Sequence, residues 1–143
     1  MPCATSSAST PLVDMSWLAA HVDTENCYLA TTGRRSGRVH QVEIWFGIIG
    51  DSLYLISGNG PSADWFRNAL AEPFVTVRID DITMAGTARQ VEDASERRRV
   101  GELMGAKYPW DGDPSIGLTF DAWCFDVPVL AIEAWRPVDG LAG

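Results

Sequence analysis

Apolar residues along this chain recur mostly in short runs bounded by turn residues, and in only three places with the wider spacing of a helix. Residues 39–49 open with strict alternation: Val39, Gln41, Glu43 and Trp45 fall on one side, His40, Val42, Ile44 and Phe46 on the other. Gly50 and Asp51 then form a two-residue hairpin signal that leads directly into a strand at 53–57. Further strands are predicted at 27–32, 74–79, 82–91 and 129–135, the 74–79 and 82–91 pair being joined across Asp80 and Asp81. Helices are predicted at 15–22 after Asp14, at 63–71 after Ser62 as N-cap, and from Asp93 to about Lys107. Pro73 stops the second helix, and Asp93 with Glu96 has capping-box spacing for the third, which carries Val100, Leu103 and Met104 on one face. Residues 108–119 read as a loop. Six strands with three short connections predict a mainly β, α+β fold: a largely antiparallel sheet curled into a barrel with helices outside.

One stretch points elsewhere. In "LYLISGNGPSADW", residues 53–65, a strand meets a Gly-x-Gly-x-x-Ala turn and a helix start, and Asp80 ends a strand about twenty residues later. That is the dinucleotide fingerprint, with an acid placed for a ribose hydroxyl. Its context is wrong. The preceding strand enters through a tight hairpin and so runs antiparallel, and after Asp80 the chain turns straight into another strand. Pro61 also removes a backbone N–H from the loop that would have to donate to phosphate.

Length and composition narrow the class. A chain of 143 residues, 46% apolar and 21% charged, suits one domain, read here as 14–143 behind a polar, mobile tail at 1–13. The longest apolar run, residues 44–49, is too short to cross a bilayer. Cys3, Cys27 and Cys124 are widely spaced and odd in number, which suggests a reducing cytoplasm. With only two histidines, His21 and His40, a histidine-rich metal site is excluded, and no metal is expected. A net charge of −8 argues against nucleic acid as partner. Against that charge, the basic loop "TTGRRSGRVH" stands out, because Arg34, Arg35 and Arg38 are three of only eleven Lys and Arg residues. It is either a solvated turn or an anion clamp, in which the glycines let backbone amides approach and the guanidiniums pair with a phosphate or carboxylate. The Arg97 to Arg99 run, flanked by Glu92, Asp93, Glu96 and Glu102, reads as a solvated helix face, and Trp17 and Trp135 read as core.

Taken together, "YLATTGRRSGRVHQVEIWF", "LYLISGNG" and "DWFRNALAEPFVTVRI" resemble the deazaflavin (coenzyme F420)-dependent nitroreductase and quinone reductase family, found mainly in actinobacteria. The resemblance covers about residues 27–80, with weaker agreement at "KYPW", 107–110. It implies a six-stranded antiparallel split β-barrel of the FMN-binding, pyridoxamine-phosphate-oxidase-like type. It places the cofactor's phosphate at Arg34, Arg35 and Ser36, with Arg38 nearby and His40 where relatives often have arginine. Glu43, Ile44 and Trp45 would lie along the deazaflavin ring. Ser57, Gly58, Asn59 and Gly60, with Asp64, Trp65 and Asn68, would line its other side or tail.

Reduced F420 is the implied cofactor and FMN the alternative. The implied reaction is hydride transfer to a small electron-poor acceptor, a quinone, activated enone or nitroaromatic. Tyr108 is then the candidate proton donor or acceptor-polarising group, and Trp110 the second substrate-binding residue. A binding or carrier protein for F420, FMN or a haem-like ligand is the alternative of a different class, since split barrels serve both ends. Homodimerisation stays open.

Overall fold

The computed structural model describes residues 16–138. The tail predicted at 1–13, Cys3 and the start of the first helix lie outside the described residues. Seven strands form one antiparallel sheet: β1 (Asn26–Thr32), β2 (Val39–Trp45), β3 (Gly47–Ile49), β4 (Ser52–Ile56), β5 (Phe74–Ile79), β6 (Ile82–Gln90) and β7 (Val129–Pro137). Four helices accompany them: α1 (Ser16–Ala19), α2 (Asp64–Ala71), α3 (Ala94–Lys107) and α4 (Phe120–Phe125). None is long and apolar enough to cross a membrane.

The sheet order β2-β1-β5-β6-β7-β4-β3 explains the seventh strand. Residues 39–49, read from sequence as one strand, break at Phe46. The first part pairs with β1 up to Asn26↔Trp45, and the second with β4 from Gly47↔Tyr54. Because β2 and β3 are opposite edges of the sheet yet adjacent in sequence, the sheet must curl until its edges meet. That closure is the split barrel. Its antiparallel strands also dispose of the dinucleotide reading. Asp80 sits in the β5–β6 hairpin at φ 54°, with its carbonyl accepting from Arg78 Nη1 at 2.8 Å.

Burial follows from which faces the helices cover. On β4, Leu53 and Leu55 point into the barrel, while Tyr54 and Ile56 point outward under α3 and α4, so the run shows no alternation. The same holds for Leu130 and Ile132 against Val129 and Ala131 on β7. On β1 only one face reaches the core, and the pattern alternates. Trp17 and Trp135 pack edge-to-face at 5.0 Å in the barrel core, as expected.

Three local readings change. Ser62 does not cap α2: Gly60–Ser62 is a 3-10 turn, and the cap position falls to Ala63, which has no capping side chain. The helix α4, capped by Thr119 Oγ1 on Ala122 N–H at 3.0 Å, was missed because six residues carry little periodicity. Arg97 is no solvated residue. Its guanidinium is half-buried and donates to the carbonyls of Cys124 and Val127, supplying partners at the C-terminus of α4. Glu96 likewise turns inward, where Arg89 grips it at 2.7 and 3.0 Å and also donates to Glu133 at 2.7 Å. Tyr54 and Ser52 donate to the same two carboxylates at 2.7 and 2.6 Å. This network pins the first turn of α3 to β4, β6 and β7.

Two outcomes follow. The α3–α4 contact is so close that a Cβ on Gly101 would strike the Cys124 carbonyl and the Phe125 ring. Gly101→Ala therefore destabilises by about 1–3 kcal/mol from overpacking, outweighing the ~1 kcal/mol that alanine gains in helix propensity. Denaturant unfolding reads the sign directly. The hydrogen bonds from Arg89 hold the Glu96 and Glu133 carboxyls below their ordinary range. Their contribution is thus present above the unfolded carboxylate value and is lost as pH falls through the depressed folded values. Unfolding titrations should show stability dropping on acidification, with a shallower drop in Arg89→Met.

Candidate active site

The basic loop is folded by its glycines. Gly33 N–H donates to the Arg38 carbonyl at 2.7 Å and Gly37 N–H to the Gly33 carbonyl at 2.9 Å, with Gly37 at φ +72°. A Cβ on Gly33 would lie 2.7 Å from Ser36 Oγ and 2.8 Å from His40 Nε2, so a hydroxyl and an imidazole gather over a bare backbone position. Across from them stands α2. Asn68, nearly buried, accepts through Oδ1 from Arg34 N–H at 3.2 Å and from Arg34 Nη1 at 2.6 Å. Asp64 adds an ion pair to Arg34 at 3.2 Å, exposed on its carboxylate side and therefore worth little by itself. Arg34 is thus held in place before any ligand arrives.

Loop and helix enclose a cleft of about 400 Å³ lined by Arg34, Arg35, Ser36, His40, Asp64, Trp65 and Asn68, together with Gly33, Gln41 and Val42. Seven of the residues expected around the cofactor therefore do converge. The cleft offers guanidinium, hydroxyl, imidazole and amide groups against one carboxylate, which is already paired with Arg34. Among the described residues the Arg35 guanidinium has no ion-pair partner. An anionic group such as a phosphate fits this donor set. Arg38 stays on the rim, its N–H donating to Ser36 Oγ at 3.1 Å.

Further along β2 a second cleft of about 400 Å³ is lined by Glu43, Ile44 and Trp45 with Asn26, Ile56, Met104 and Trp123. Trp123 was not foreseen. Only the Thr119 cap signal ahead of "FDAWCF" could have suggested the helix that delivers it. Ser57, Gly58, Asn59 and Gly60 line neither cleft. Ser57 is buried, with Oγ donating to the Gly60 carbonyl at 2.6 Å, and Gly58 backs onto Leu118 and Trp123. Asn59 is exposed.

Tyr108 and Trp110 belong to a third cleft of similar size, with Asp23, Glu25, Trp45, Lys107 and Pro109. Here the two residues stand differently. The Trp110 ring meets Trp45 and Trp123 edge-on at 5.6 and 5.5 Å. The Tyr108 ring stacks on Trp45 at 4.5 Å and 5°, and its hydroxyl is occupied. It accepts from Phe46 N–H at 3.2 Å and lies within donating distance of the Glu25 and Phe46 carbonyls at 2.6 and 3.0 Å. Burial pushes its pKa up to about 12. These partners make Tyr108 a brace for the strand break.

An antiparallel sheet closed on itself, with a basic cleft beside a strand bordered by aromatic side chains, is a split β-barrel. More narrowly, residues 19–113 match the model of the F420H(2)-dependent quinone reductase family, and the chain belongs to that family. It is therefore an oxidoreductase whose cofactor is reduced coenzyme F420. Among solved structures it is similar to an F420-H2 dependent reductase, 25% identical over 77% of this chain and 95% of that one, at a TM-score of 0.60. A second similar structure, 26% identical over 78% of this chain and 81% of the other at TM-score 0.60, is described as a domain-swapped dimer. An FAD-binding protein from Mesorhizobium loti, 14% identical over 85% and 89% of the two chains, shares the fold at TM-score 0.60. No curated protein matches the sequence.

Tyr108→Phe tests the brace. It would leave the Phe46 N–H and the Glu25 carbonyl without their partner, at a cost of about 1–3 kcal/mol. The expected outcome is a lower thermal midpoint with turnover of the folded fraction largely kept.

Proposed function

We propose that the protein reduces neutral, electron-poor carbonyl acceptors of the quinone or activated-enone type, nitroaromatics being adventitious, with the cofactor's phosphate held in the basic cleft. The observation that carries this reading is the convergence of Arg34, Arg35, Ser36 and His40 on α2, in a chain of net charge −8. When bound, the reduced deazaflavin supplies the hydride. The chain's own residues bind and orient. Asn68 and Asp64 fix Arg34, leaving the Arg35 guanidinium, Ser36 hydroxyl and His40 imidazole to close on the phosphate. Arg38 at the rim suits the anionic tail. Trp65, Asp64 and Asn68 form one wall of the cofactor site, and Glu43, Ile44 and Trp45 continue it along β2 towards the aromatic clefts. The loop Ser57 to Gly60 acts at one remove in this reading, by supporting Trp123.

A fluorescence titration comparing F420 with FMN, followed by oxidation of F420H2 with menadione, tests it. F420 should bind more tightly than FMN, and absorbance of oxidised F420 should recover on adding menadione. Arg34→Ala with Arg35→Ala should weaken F420 binding by about 10–100-fold, the scale of one or two charge-assisted contacts. Unchanged affinity in the double variant would sink the phosphate assignment. Binding without any oxidation would point instead to a carrier.

A further inference from the structure

Tyr108 being committed to the backbone, the cleft it lines needs another group if an acceptor is to be polarised there. Lys107 is the one cation among that cleft's lining residues, whose other charged members are Asp23 and Glu25. Its half-buried ammonium donates to the Phe46 carbonyl at 2.9 Å and sits 4.0 Å from the Phe46 ring centroid and 5.2 Å from that of Tyr108. An ammonium has three N–H donors, and this contact uses one. Trp45, which also borders the cleft containing Glu43 and Ile44, joins the third cleft to the strand expected beside the cofactor.

We propose that the cleft formed by Trp45, Trp110 and Lys107 is the acceptor site, that it takes planar neutral carbonyl compounds, and that Lys107 donates both a hydrogen bond and the proton to the acceptor oxygen. This rests on the F420H2-dependent reduction argued above. As the acceptor takes up a hydride, the electron pair of its carbonyl moves onto oxygen. That oxygen takes a proton from the Lys107 ammonium, and solvent reprotonates the neutral amine through the open rim. The acceptor gains two electrons and two hydrogens in all. Asp23, exposed at the rim, favours the ammonium form, and with the exposed Glu25 it disfavours acceptors that already carry a carboxylate. That combination selects substrates whose negative charge appears only on reduction.

The groups facing Lys107 set the direction of its titration. Burial lowers its pKa, while Asp23 opposes that shift. The Cys27 thiol is pushed up to about 12 and stays protonated, as does Tyr108. Glu43 lines the adjoining cleft.

The test has two readouts. On the cofactor-free protein, menadione binding is followed by tryptophan quenching and the frequency of its carbonyl stretch by difference infrared spectroscopy. The parent and Lys107→Arg should both shift that stretch down, and Lys107→Met should not. In the Met variant the Phe46 carbonyl still faces the Tyr108 hydroxyl at 3.0 Å, whose one hydrogen it shares with the Glu25 carbonyl, and near-UV circular dichroism checks that the fold survives. In turnover, the parent should lose activity on the alkaline side, below the pH of an ordinary lysine. Lys107→Arg should move that limb upward, and Lys107→Met should lack it while turning over about 100-fold more slowly, the scale for a lost proton donor. An unshifted carbonyl in the parent, a shift persisting in Lys107→Met, or an alkaline limb kept by that variant each overturns the proposal, as does absence of menadione binding. A Lys107-dependent carbonyl shift without F420H2 oxidation would instead retire the reductase reading and leave the acceptor site standing.

Discussion

The structure depends on the backbone of one residue. At Phe46 a single strand leaves β1 and joins β4, so the N–H and carbonyl of that residue fall between two ladders and have no strand partner. Buried backbone groups without partners cost about 1–3 kcal/mol each, enough to open the seam of a marginally stable domain. The end of α3 answers that cost: the Tyr108 hydroxyl accepts from the N–H, and the Lys107 ammonium donates to the carbonyl. Closure of the barrel and placement of the "KYPW" segment are therefore one event. The cleft next to it can exist only because α3 ends where the strand breaks.

Electrostatics work on the same economy of place. Three of the acidic chain's eleven Lys and Arg residues fall in one loop, and α2 uses Asn68 and Asp64 to hold Arg34 there. Elsewhere, charges that look like solvated surface in the sequence are structural. Arg89 joins α3 to three strands through Glu96 and Glu133, and Arg97 supplies partners at the end of α4. Hydrophobic burial, at about 1.5–3 kcal/mol for each large side chain, still outweighs any one of these contacts. The ion pairs decide orientation and the core decides stability.

Much of this was legible in the residues. Turn and periodicity signals located the strands apart from the break at Phe46, Asp93 and Glu96 located α3, and "TTGRRSGRVH" located the basic cleft. The misses have physical reasons. A strand that changes partners looks continuous in sequence, because alternation runs unbroken through Phe46 while the pairing does not. A six-residue helix shows too little periodicity, which hid Trp123. The partners of the Tyr108 hydroxyl lie 62 and 83 positions away, where no local pattern reveals them.

By itself, then, the sequence determined the class of fold, the family and the basic loop, since these rest on short-range periodicity, turn chemistry and local charge. Tertiary structure alone decided which side chains share a cleft and which are already spent. Whether Tyr108 or Lys107 keeps a hydrogen free for a ligand depends on the backbone that each meets after the sheet has curled. Hydrogen bonds between residues so far apart along the chain leave no trace in it until then.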